Sequence, residues 1–542
     1  MKRRLPLGIQ DFAKLREGGF VYVDKTGHIY SLITGPAGPV FLSRPRRFGK
    51  SLLCSTLAAI FEGRRELFSG LAIDTTDWQW KKYPVIKLDL NPGNYTEGTD
   101  ILNVMLQNNL EIAASKMNLN LHGTVLPQIF INLIIDAKNK FNERLTILID
   151  EYDKPLLTTI DNPELYITMQ NILKGFYSVL KSADEYLGFV LITGVTKFSQ
   201  IGVFSDLNNL TDISLNPDYY DICGFTQEEL ETNFEPEINS IVIGNAADGY
   251  IADGCVADGC VAANPDQSSQ EYMNRLKHFY NGYRFSEKPA TVYNPYGLLN
   301  HFFNRGKFGS YWYSTATPTF LIKLIAEQKI DILDLERKTV TICDFQKFNI
   351  DKMDVLPVLY QTGYLTISGY NQEAETFTLD YPNEEVRASF ADSLLEHYTK
   401  AENNEAYTCA QKINISLIKG HVEDALNALR SLFAAIPYDI QIKQEKYYQT
   451  IVYLTFRMFG LNCQSELRTA DGRIDVLVET QKYVYCFEFK LNGTADEALQ
   501  QIDSREYLLQ WKGSGKKLFK VGINFDFEKR NIGEWKTANE NK

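Results

Sequence analysis

Two acids and a lysine interrupt apolar segments near the end of the chain. Asp475 lies in the run GRIDVLVE, and Glu488 and Lys490 lie in the run VYCFEFK. An ionised carboxylate or ammonium group in apolar surroundings is costly unless it is paired or bound to a metal ion. These residues therefore form either a structural ion pair or a site that performs chemistry.

The spacing of these residues favours a catalytic site over a structural ion pair. Side chains alternate along a strand, so Glu488 and Lys490 face one side and Phe487 and Phe489 face the other. Asp475 comes from the preceding strand of a hairpin that turns near ETQKY. Carboxylate oxygens suit Mg²⁺, and a lysine can orient an attacking water. We therefore predict a magnesium site for phosphodiester hydrolysis, with a structural ion pair as the alternative.

A second group of chemically capable residues lies near the start of the chain, in FLSRPRRFGKSLL. Gly49 lets backbone N–H groups approach a phosphate, Lys50 reaches phosphate oxygens, and Ser51 can ligate Mg²⁺. The full P-loop pattern begins with a glycine where this chain has Arg44, so the motif is degenerate. Taken alone, it fits a basic strand-to-helix turn equally well.

Two later segments favour nucleotide binding. LTILIDEYDKPL ends an apolar strand with Asp150, which would hold Mg²⁺, and Glu151, which would polarise an attacking water. FVLITGVTKFS delivers Thr193 and Thr196 to the same sheet edge, where a hydroxyl could sense a γ-phosphate. Acids often follow strands, so each segment alone could be a capped strand end. The three elements in this order favour an ATP and Mg²⁺ site.

The elements that position these residues indicate an α/β chain of several domains. Short apolar runs alternate with helical patterns, which predicts a parallel sheet covered on both faces. The predicted strands lie at 40–42, 85–90, 145–149 and 189–192, and the predicted helices at 51–62, 100–116 and 163–181.

Five regions are predicted along the chain. They are a P-loop domain at 1–225, a helical lid region at 226–344, a winged-helix-like module at 345–395, a helical linker at 396–440, and an α/β domain at 441–530. The last is expected to run helix, strand, strand, helix, strand. A pentad repeated in tandem at 247–262 is too short to stack a core and is predicted to be an exposed low-complexity loop.

Composition excludes several function classes. The net charge of −12 argues against a generally basic nucleic-acid coat. Residues 441–542 carry 16 Lys and Arg against 14 Asp and Glu, so any nucleic-acid partner is expected at this end. The 8 cysteines include no CxxC pair, which favours a reduced, cytoplasmic protein without a zinc site. No signal-peptide pattern or membrane-length apolar run is present.

Several segments together resemble the bacterial AAA-ATPase-like proteins, in which a P-loop ATPase-like domain precedes a C-terminal PD-(D/E)XK nuclease-like domain. They are LPLGIQDFAKLREGGFVYVDKT, SRPRRFGKS, ILIDEYDKP, LITGVTKFS, FSDLNNLTDIS and FYNGYRF. The resemblance covers most of residues 5–300 and about 440–525, and RPRRFGKS is typical of the group. The predicted nucleotide-binding residues are Arg47, Gly49, Lys50, Ser51, Asp150 and Thr193, with Ser51 and Asp150 as metal ligands and Glu151 as a catalytic acid.

The C-terminal residues match the Asp–x₁₂–Glu–x–Lys core of the restriction-endonuclease-like PD-(D/E)XK fold. In that fold a preceding helix commonly offers another acid, which implies a catalytic role for Glu445. The helix that follows implies a polar role for Gln501 near the metal ligands. Arg284 in NGYRF is a candidate arginine finger and, equally, a surface arginine in an aromatic cluster.

Two functions follow from these patterns. The first is an ATP-controlled, Mg²⁺-dependent nuclease that cuts nucleic acid, DNA in preference to RNA. The second is a nucleotide-dependent switch whose C-terminal domain binds a partner without cleaving it. Metal-dependent cleavage separates the two, and a homo-oligomer is compatible with either.

Overall fold

The chain divides into two compact units. The first unit comprises Met1–Ala316 and Thr339–Asn383, and the second comprises Thr317–Lys338 and Glu384–Lys542. The computed structural model describes residues 3–35, 38–197, 203–204, 207, 209–247, 265–315, 319–328, 330–341, 355–399, 403–436, 445–458, 461–469, 472–491, 493–526 and 528–540. The P-loop residues lie in the first unit, and the Asp475 group lies in the second.

A parallel sheet forms the centre of the first unit. Its strands are β1 (Val40–Ser43), β2 (Val85–Asp89), β3 (Leu145–Asp150), β4 (Leu187–Gly194) and β5 (Thr211–Asp212), in the order β2-β3-β4-β1-β5. All neighbouring pairs are parallel, and Ser43 at the end of β1 pairs with Gly194 at the end of β4. The four predicted strands are confirmed, and their carboxyl ends meet at one edge.

Helices cover both faces of this sheet, as a buried parallel sheet requires. They are α1 (Phe12–Glu17), α2 (Thr26–Thr34), α3 (Lys50–Phe61), α4 (Thr99–Lys116), α5 (Leu126–Phe141), α6 (Lys154–Thr158), α7 (Pro163–Tyr177) and α8 (Val179–Ser182). The three predicted helices are present, the third as the pair α7 and α8. Leu106, Phe130 and Ile147 are among the fully buried residues of this core.

The middle of the chain is largely helical, as expected. It contains α9 (Gln227–Ala247), α10 (Pro265–Tyr280), α11 (Pro295–Phe303) and α12 (Thr319–Glu327). Nearly all of the pentad insert, from residue 248 onward, lies outside the described residues. Within the described part of the chain, no helix is both long and apolar enough to span a bilayer.

A helix and a hairpin follow, in the pattern that predicted a winged-helix-like module. Helix α13 (Val355–Thr362) precedes β7 (Thr366–Asn371) and β8 (Thr376–Asp380), which pair antiparallel. Strand β6 (Lys338–Thr341) adds to β8 and gives the sheet order β6-β8-β7.

The second unit builds a mixed sheet flanked by helices. Its helices are α14 (Glu384–Thr399), α15 (Asn403–Lys419), α16 (Val422–Ala435), α17 (Glu445–Arg457) and α18 (Ala495–Ser504). Its strands are β9 (Asn462–Thr469), β10 (Gly472–Glu479), β11 (Tyr483–Leu491), β12 (Lys517–Asp526) and β13 (Asn531–Glu540), in the order β13-β12-β11-β10-β9. Only β11 and β12 pair in parallel among these neighbours.

Strands β9 and β13 were not predicted. The predicted order of elements was helix, strand, strand, helix and strand. Both form the edges of the sheet, where polar side chains face water. Their sequences, NCQSELRT and NIGEWKTANE, lack the apolar run by which a buried strand is recognised. The predicted pattern was therefore incomplete at both edges.

Helix α18 lies directly against β12. A Cβ at Gly522 would collide with the carbonyl oxygen of Ala495, so only glycine permits this approach. Gly522 pairs with Glu488 in the parallel register. The close approach therefore brings α18 over the strand that carries the predicted catalytic residues.

Candidate active sites

The loop between β1 and α3 has the form of a phosphate-binding turn. Gly49 has a φ of 99°, in the left-handed region that favours glycine. Nζ of Lys50 donates hydrogen bonds to the carbonyl oxygens of Arg44 and Pro45, at 2.9 Å and 3.0 Å. Ser51 occupies the first turn of α3, whose free N–H groups favour an anion.

The buried side chain of Arg44 anchors this loop to neighbouring backbone segments. Its side chain is 1% exposed, and its guanidinium donates to the carbonyl oxygens of Ser43, Ser214 and Tyr219. It also lies 4.2 Å from the ring centre of Phe285, and burial lowers its pKa. The residue that replaces the P-loop glycine is therefore a buried anchor of the loop.

Asp150 and Thr193 end neighbouring strands and contact each other. Oγ1 of Thr193 donates a hydrogen bond of 2.7 Å to Oδ1 of Asp150, and both side chains are buried. Contact of Thr193 with a nucleotide remains a prediction, because its hydroxyl is used to orient Asp150. Oδ2 of Asp150 is the carboxylate oxygen left for a metal ligand role.

Glu151 differs from Asp150 in its surroundings. Its φ is 51°, which turns the chain sharply at the end of β3. Burial raises the pKa of Glu151, and the charge of Lys50 opposes that rise. A carboxylate with a raised pKa accepts a proton more readily, as a general base must.

Asp153 is a polar residue of this site that the sequence reasoning missed. It accepts hydrogen bonds from the backbone N–H groups of Val195 and Thr196 and from the hydroxyl of Thr196. Its side chain is buried, and it fixes the segment that follows β4. The second aspartate of DEYD was the available signal, since a buried acid needs such partners.

Glu151 and the loop before α3 line a cavity of about 340 Å³ in the first unit, whereas Asp150, Asp153 and Thr193 do not line it. Its polar lining includes Arg47, Gly49, Lys50, Ser51 and Glu151, and its apolar lining includes Ile9 and Leu299. A concave site with apolar walls and a few converging polar groups is typical of a small-molecule pocket.

Arg284 does not line this cavity. Its guanidinium donates to the carbonyl oxygens of Ser286, at 2.9 Å, and Glu287. Arg284 is 6% exposed, so it is not the surface arginine that the sequence offered as the alternative, and its guanidinium is used to hold the local backbone.

In the second unit, Asp475 and Glu488 come from adjacent antiparallel strands. The register of β10 and β11 runs to Val476 opposite Phe487, and the next positions are Asp475 and Glu488. Oδ2 of Asp475 accepts a hydrogen bond of 2.8 Å from the backbone N–H of Phe489. The two carboxylates therefore meet where the hairpin begins to open.

Lys490 and Gln501 complete this group. Nζ of Lys490 lies 3.3 Å from Oε1 of Glu488 and donates a hydrogen bond of 2.8 Å to Oε1 of Gln501. Nε2 of Gln501 donates to the same Oε1 of Glu488 and to the hydroxyl of Tyr507. Gln501 thus lies between the lysine and the carboxylate, and its role in catalysis remains a prediction.

Glu445 lies at the first residue of α17 and reaches the same strand. Its Oε2 accepts a hydrogen bond of 3.1 Å from the backbone N–H of Leu491. Its negative charge also contributes to raising the pKa of Asp475. The structure therefore brings all five predicted residues of this site together.

The electrostatics of this site favour a bound cation. Burial raises the pKa of both Asp475 and Glu488, and their like charges raise it further in Glu488. Glu488 is 1% exposed, and its Oε2 is buried without a hydrogen bond of ordinary geometry from the described residues. An orphaned carboxylate oxygen beside a second acid suits Mg²⁺, so the residues fit this ion.

The described residues contain no cluster of three or more His, Cys, Asp or Glu side chains arranged to hold a metal ion. Asp475 and Glu488 would therefore supply two protein ligands. Mg²⁺ usually keeps several waters and takes one or two carboxylates together with substrate phosphates. A site with two carboxylate ligands matches this preference.

Gln449 and Glu466 support Asp475, and the sequence analysis did not identify either of them. Nε2 of Gln449 donates to the backbone oxygen of Asp475, at 3.2 Å, and to Oε1 of Glu466. Arg473 forms an ion pair with the other oxygen of Glu466. The signal was weak, because Glu466 reaches this position through a φ of 52° in the middle of a polar strand.

Comparisons with known proteins identify two domains in this chain. Residues 6–204 match the family described as Predicted AAA-ATPase, and residues 443–535 match the PD-(D/E)XK nuclease superfamily. An uncharacterized protein in the vnfD 5'region of Azotobacter chroococcum mcd 1 is 32% identical over 542 residues, which cover 98% of this chain and 98% of that protein. The two domain types expected from the sequence are confirmed.

Proposed function

Because this chain belongs to the AAA-ATPase-like proteins that carry a C-terminal PD-(D/E)XK nuclease superfamily domain, we propose that it is a nucleotide-dependent nuclease. The first unit binds and hydrolyses ATP, and the second unit hydrolyses phosphodiester bonds in nucleic acid, DNA in preference to RNA. Both reactions use Mg²⁺. A cytoplasmic location suits this role.

One observation carries the proposal. The orphaned Oε2 of Glu488 lies in a group that also contains Asp475 and Lys490. A domain that only binds a partner gains nothing from a buried acid beside a half-buried one, because their mutual repulsion disfavours their ionisation. A cation that neutralises both acids removes this cost, which supports a metal-dependent reaction.

The residues of the second unit divide the chemistry between them. Asp475 and Glu488 would hold the Mg²⁺, which polarises a phosphodiester and lowers the pKa of a bound water. Lys490 orients the attacking water, since its ammonium is held by Gln501 beside Glu488. Gln501 is itself fixed by Tyr507, so the lysine is positioned before substrate binds.

The residues of the first unit suit phosphoryl transfer to water. Lys50 and the N–H groups at the start of α3 bind phosphate oxygens, and Ser51 and Asp150 would hold Mg²⁺. Glu151 faces the cavity with a raised pKa and takes the proton of the attacking water. Thr193 keeps the carboxylate of Asp150 in one orientation.

Cleavage of labelled single- and double-stranded DNA and RNA tests the proposal. The full chain is assayed with Mg²⁺ or Mn²⁺, with and without ATP, beside Lys490→Ala. Lys482→Ala is the matched control, because Lys482 is exposed at the turn of the same hairpin. Cutting that requires metal and is lost only in Lys490→Ala supports the nuclease. Nucleotide binding without cleavage of any substrate supports the switch instead.

A further inference from the structure

Besides Lys25, which forms an ion pair with Glu229, four cationic side chains line the cavity of the first unit. Arg46 and Arg47 belong to the P-loop, Lys50 begins α3, and Lys154 begins α6. Glu151 is the carboxylate that lines the cavity with them. Within the described residues, none of the four cations forms an ion pair with an acid.

The side chains of three of these four cations, Arg46, Arg47 and Lys154, make no hydrogen bond with a described residue. Lys50 donates to two carbonyl oxygens, and the guanidinium of Arg47 lies 4.9 Å from the ring centre of Tyr296. The side chains of Arg46 and Lys154 make no hydrogen bond with any described residue, although both are half-buried. Neither side chain is therefore neutralised by a direct ion pair, although the negative charges of Glu151 and Asp153 partly offset that of Lys154.

Arg46 and Lys154 also act on each other. Burial lowers the pKa of Lys154, and the positive charge of Arg46 lowers it further. Two like charges held near each other and partly out of water are unfavourable unless an anion lies between or beside them. The repulsion between Arg46 and Lys154 therefore indicates that this part of the cavity binds a ligand with several negative charges.

The backbone holds both residues in place. Nε1 of the buried Trp312 donates a hydrogen bond of 3.0 Å to the carbonyl oxygen of Arg46. The backbone N–H of Lys154 donates a hydrogen bond of 3.0 Å to the carbonyl oxygen of Glu151, so both lie in one tight turn. Lys154 is therefore tied to the residue that would activate water.

We propose that Arg46 and Lys154 bind the terminal phosphate of a nucleoside triphosphate and stabilise the charge that develops on it during hydrolysis. The inference rests on the proposed nucleotide site and assigns these residues to it. Water attacks the terminal phosphorus and gives its proton to Glu151, and the bond to the bridging oxygen breaks to leave a nucleoside diphosphate and inorganic phosphate. Negative charge spreads over the terminal phosphate oxygens in this step, where nearby cations contribute most.

The pair also distinguishes triphosphate from diphosphate. A nucleoside diphosphate lacks the phosphate that Arg46 and Lys154 contact, while Lys50 and the start of α3 still bind the remaining phosphates. Loss of either side chain is therefore expected to weaken ATP binding more than ADP binding. A purely structural role would change both affinities alike.

The experiment measures Mg-ATP and Mg-ADP affinity by calorimetry, together with phosphate release, for the full chain. Lys154→Met and Arg46→Gln are compared with Lys154→Arg, which keeps the charge, and with Lys50→Ala. Lys181→Met is the matched control, since Lys181 is exposed at the end of α8. Affinities are measured in a Glu151→Gln background, so that ATP is not consumed.

Lys154→Met and Arg46→Gln are expected to keep ADP affinity within about 2-fold, to weaken ATP binding about 10-fold or more, and to lower kcat about 100-fold or more. Lys154→Arg should recover part of the kcat loss. Equal losses for ATP and ADP, or unchanged kcat in both variants, would overturn the inference while leaving the Lys50 site intact. Absence of nucleotide binding by the wild type would overturn the proposed ATP site as well.

Discussion

The carboxylate of Asp475 is tied to the backbone of Phe489 by a hydrogen bond of 2.8 Å from the amide N–H to Oδ2. The ladder between β10 and β11 runs only to Val476 and Phe487, so this bond replaces a ladder contact where the strands separate. Oδ1 makes no hydrogen bond with a described residue. One oxygen therefore fixes the side chain, and the other remains for a ligand.

Asp475→Asn separates these two roles. The amide oxygen of asparagine still accepts the Phe489 N–H, so the hairpin should fold as in the wild type. The negative charge required by Mg²⁺ is lost, and cleavage is expected to fall about 100-fold or more. Single-turnover cleavage measured over a Mg²⁺ titration checks both the rate and the metal requirement.

Asp503→Asn is the matched control for this substitution. Asp503 lies on α18 of the same unit and forms an exposed ion pair with Lys520, at 2.5 Å. Surface ion pairs contribute little to stability, so rate and fold should both remain near wild type. Full cleavage by Asp475→Asn would contradict the metal-ligand role.

The two acids should make stability depend on pH in metal-free protein. The folded-state pKa is raised to about 7 for Asp475 and about 8 for Glu488, whereas unfolded carboxyls titrate near 4. The folded state therefore keeps protons that the unfolded state has lost. The free energy of unfolding should fall as pH rises from about 4 through about 8 and level off above that.

Mg²⁺ should reverse this trend, because it binds ionised carboxylates. Thermal unfolding is compared at pH 5.5 and pH 8.5 in EDTA and in excess Mg²⁺. The increase of the midpoint by Mg²⁺ is expected to be larger at the higher pH and to shrink in Glu488→Gln. An increase that is the same at both pH values would contradict metal binding by this pair.

Much of this site could be predicted from the sequence, because the strand period of two and the apolar flanks fix which residues share a face. Phe487 packs on Phe456 of α17, whereas Glu488 and Lys490 contact Gln501 of α18. The predicted division of the two faces is therefore confirmed.

Other parts of the site could not be predicted, since they depend on contacts between distant segments. Gln449 supports Asp475 only because α17 packs across β9 and β10. Glu466 reaches the group through a left-handed backbone position that no local pattern marks. Asp153 follows two other acids, and its partners lie on the segment after β4.

Thr193→Val tests how Asp150 is oriented. Valine keeps the size and branching of threonine but removes the hydroxyl that donates to Oδ1 of Asp150. ATP affinity without metal should be unchanged, while the gain in affinity on adding Mg²⁺ and the rate of ATP hydrolysis should each fall about 10-fold. Calorimetry with and without Mg²⁺ measures the first effect, and phosphate release measures the second.

Thr168→Val is the control, because Thr168 lies on the exposed side of α7 and donates only to its own helix at Glu164. Its nucleotide affinity and hydrolysis should match the wild type. Equal loss of ATP affinity by Thr193→Val with and without Mg²⁺ would point to direct contact of Thr193 with the nucleotide, as the sequence predicted.

Arg44→Gly restores the first glycine of the P-loop pattern, but it should nevertheless lower the free energy of unfolding. The substitution leaves the carbonyl oxygens of Ser43, Ser214 and Tyr219 without their donor and opens a cavity beside Phe285. The expected loss is roughly 3 kcal/mol or more of unfolding free energy. Nucleotide affinity should fall with it, because the loop that presents Lys50 loses its anchor. Thermal unfolding and ATP calorimetry are compared with Arg64→Ala, which removes a partly exposed arginine of the same unit that pairs with Glu17. Arg44→Gly protein that is as stable as Arg64→Ala and binds ATP more tightly than the wild type would show that Arg44 only replaces the glycine and does not anchor the loop.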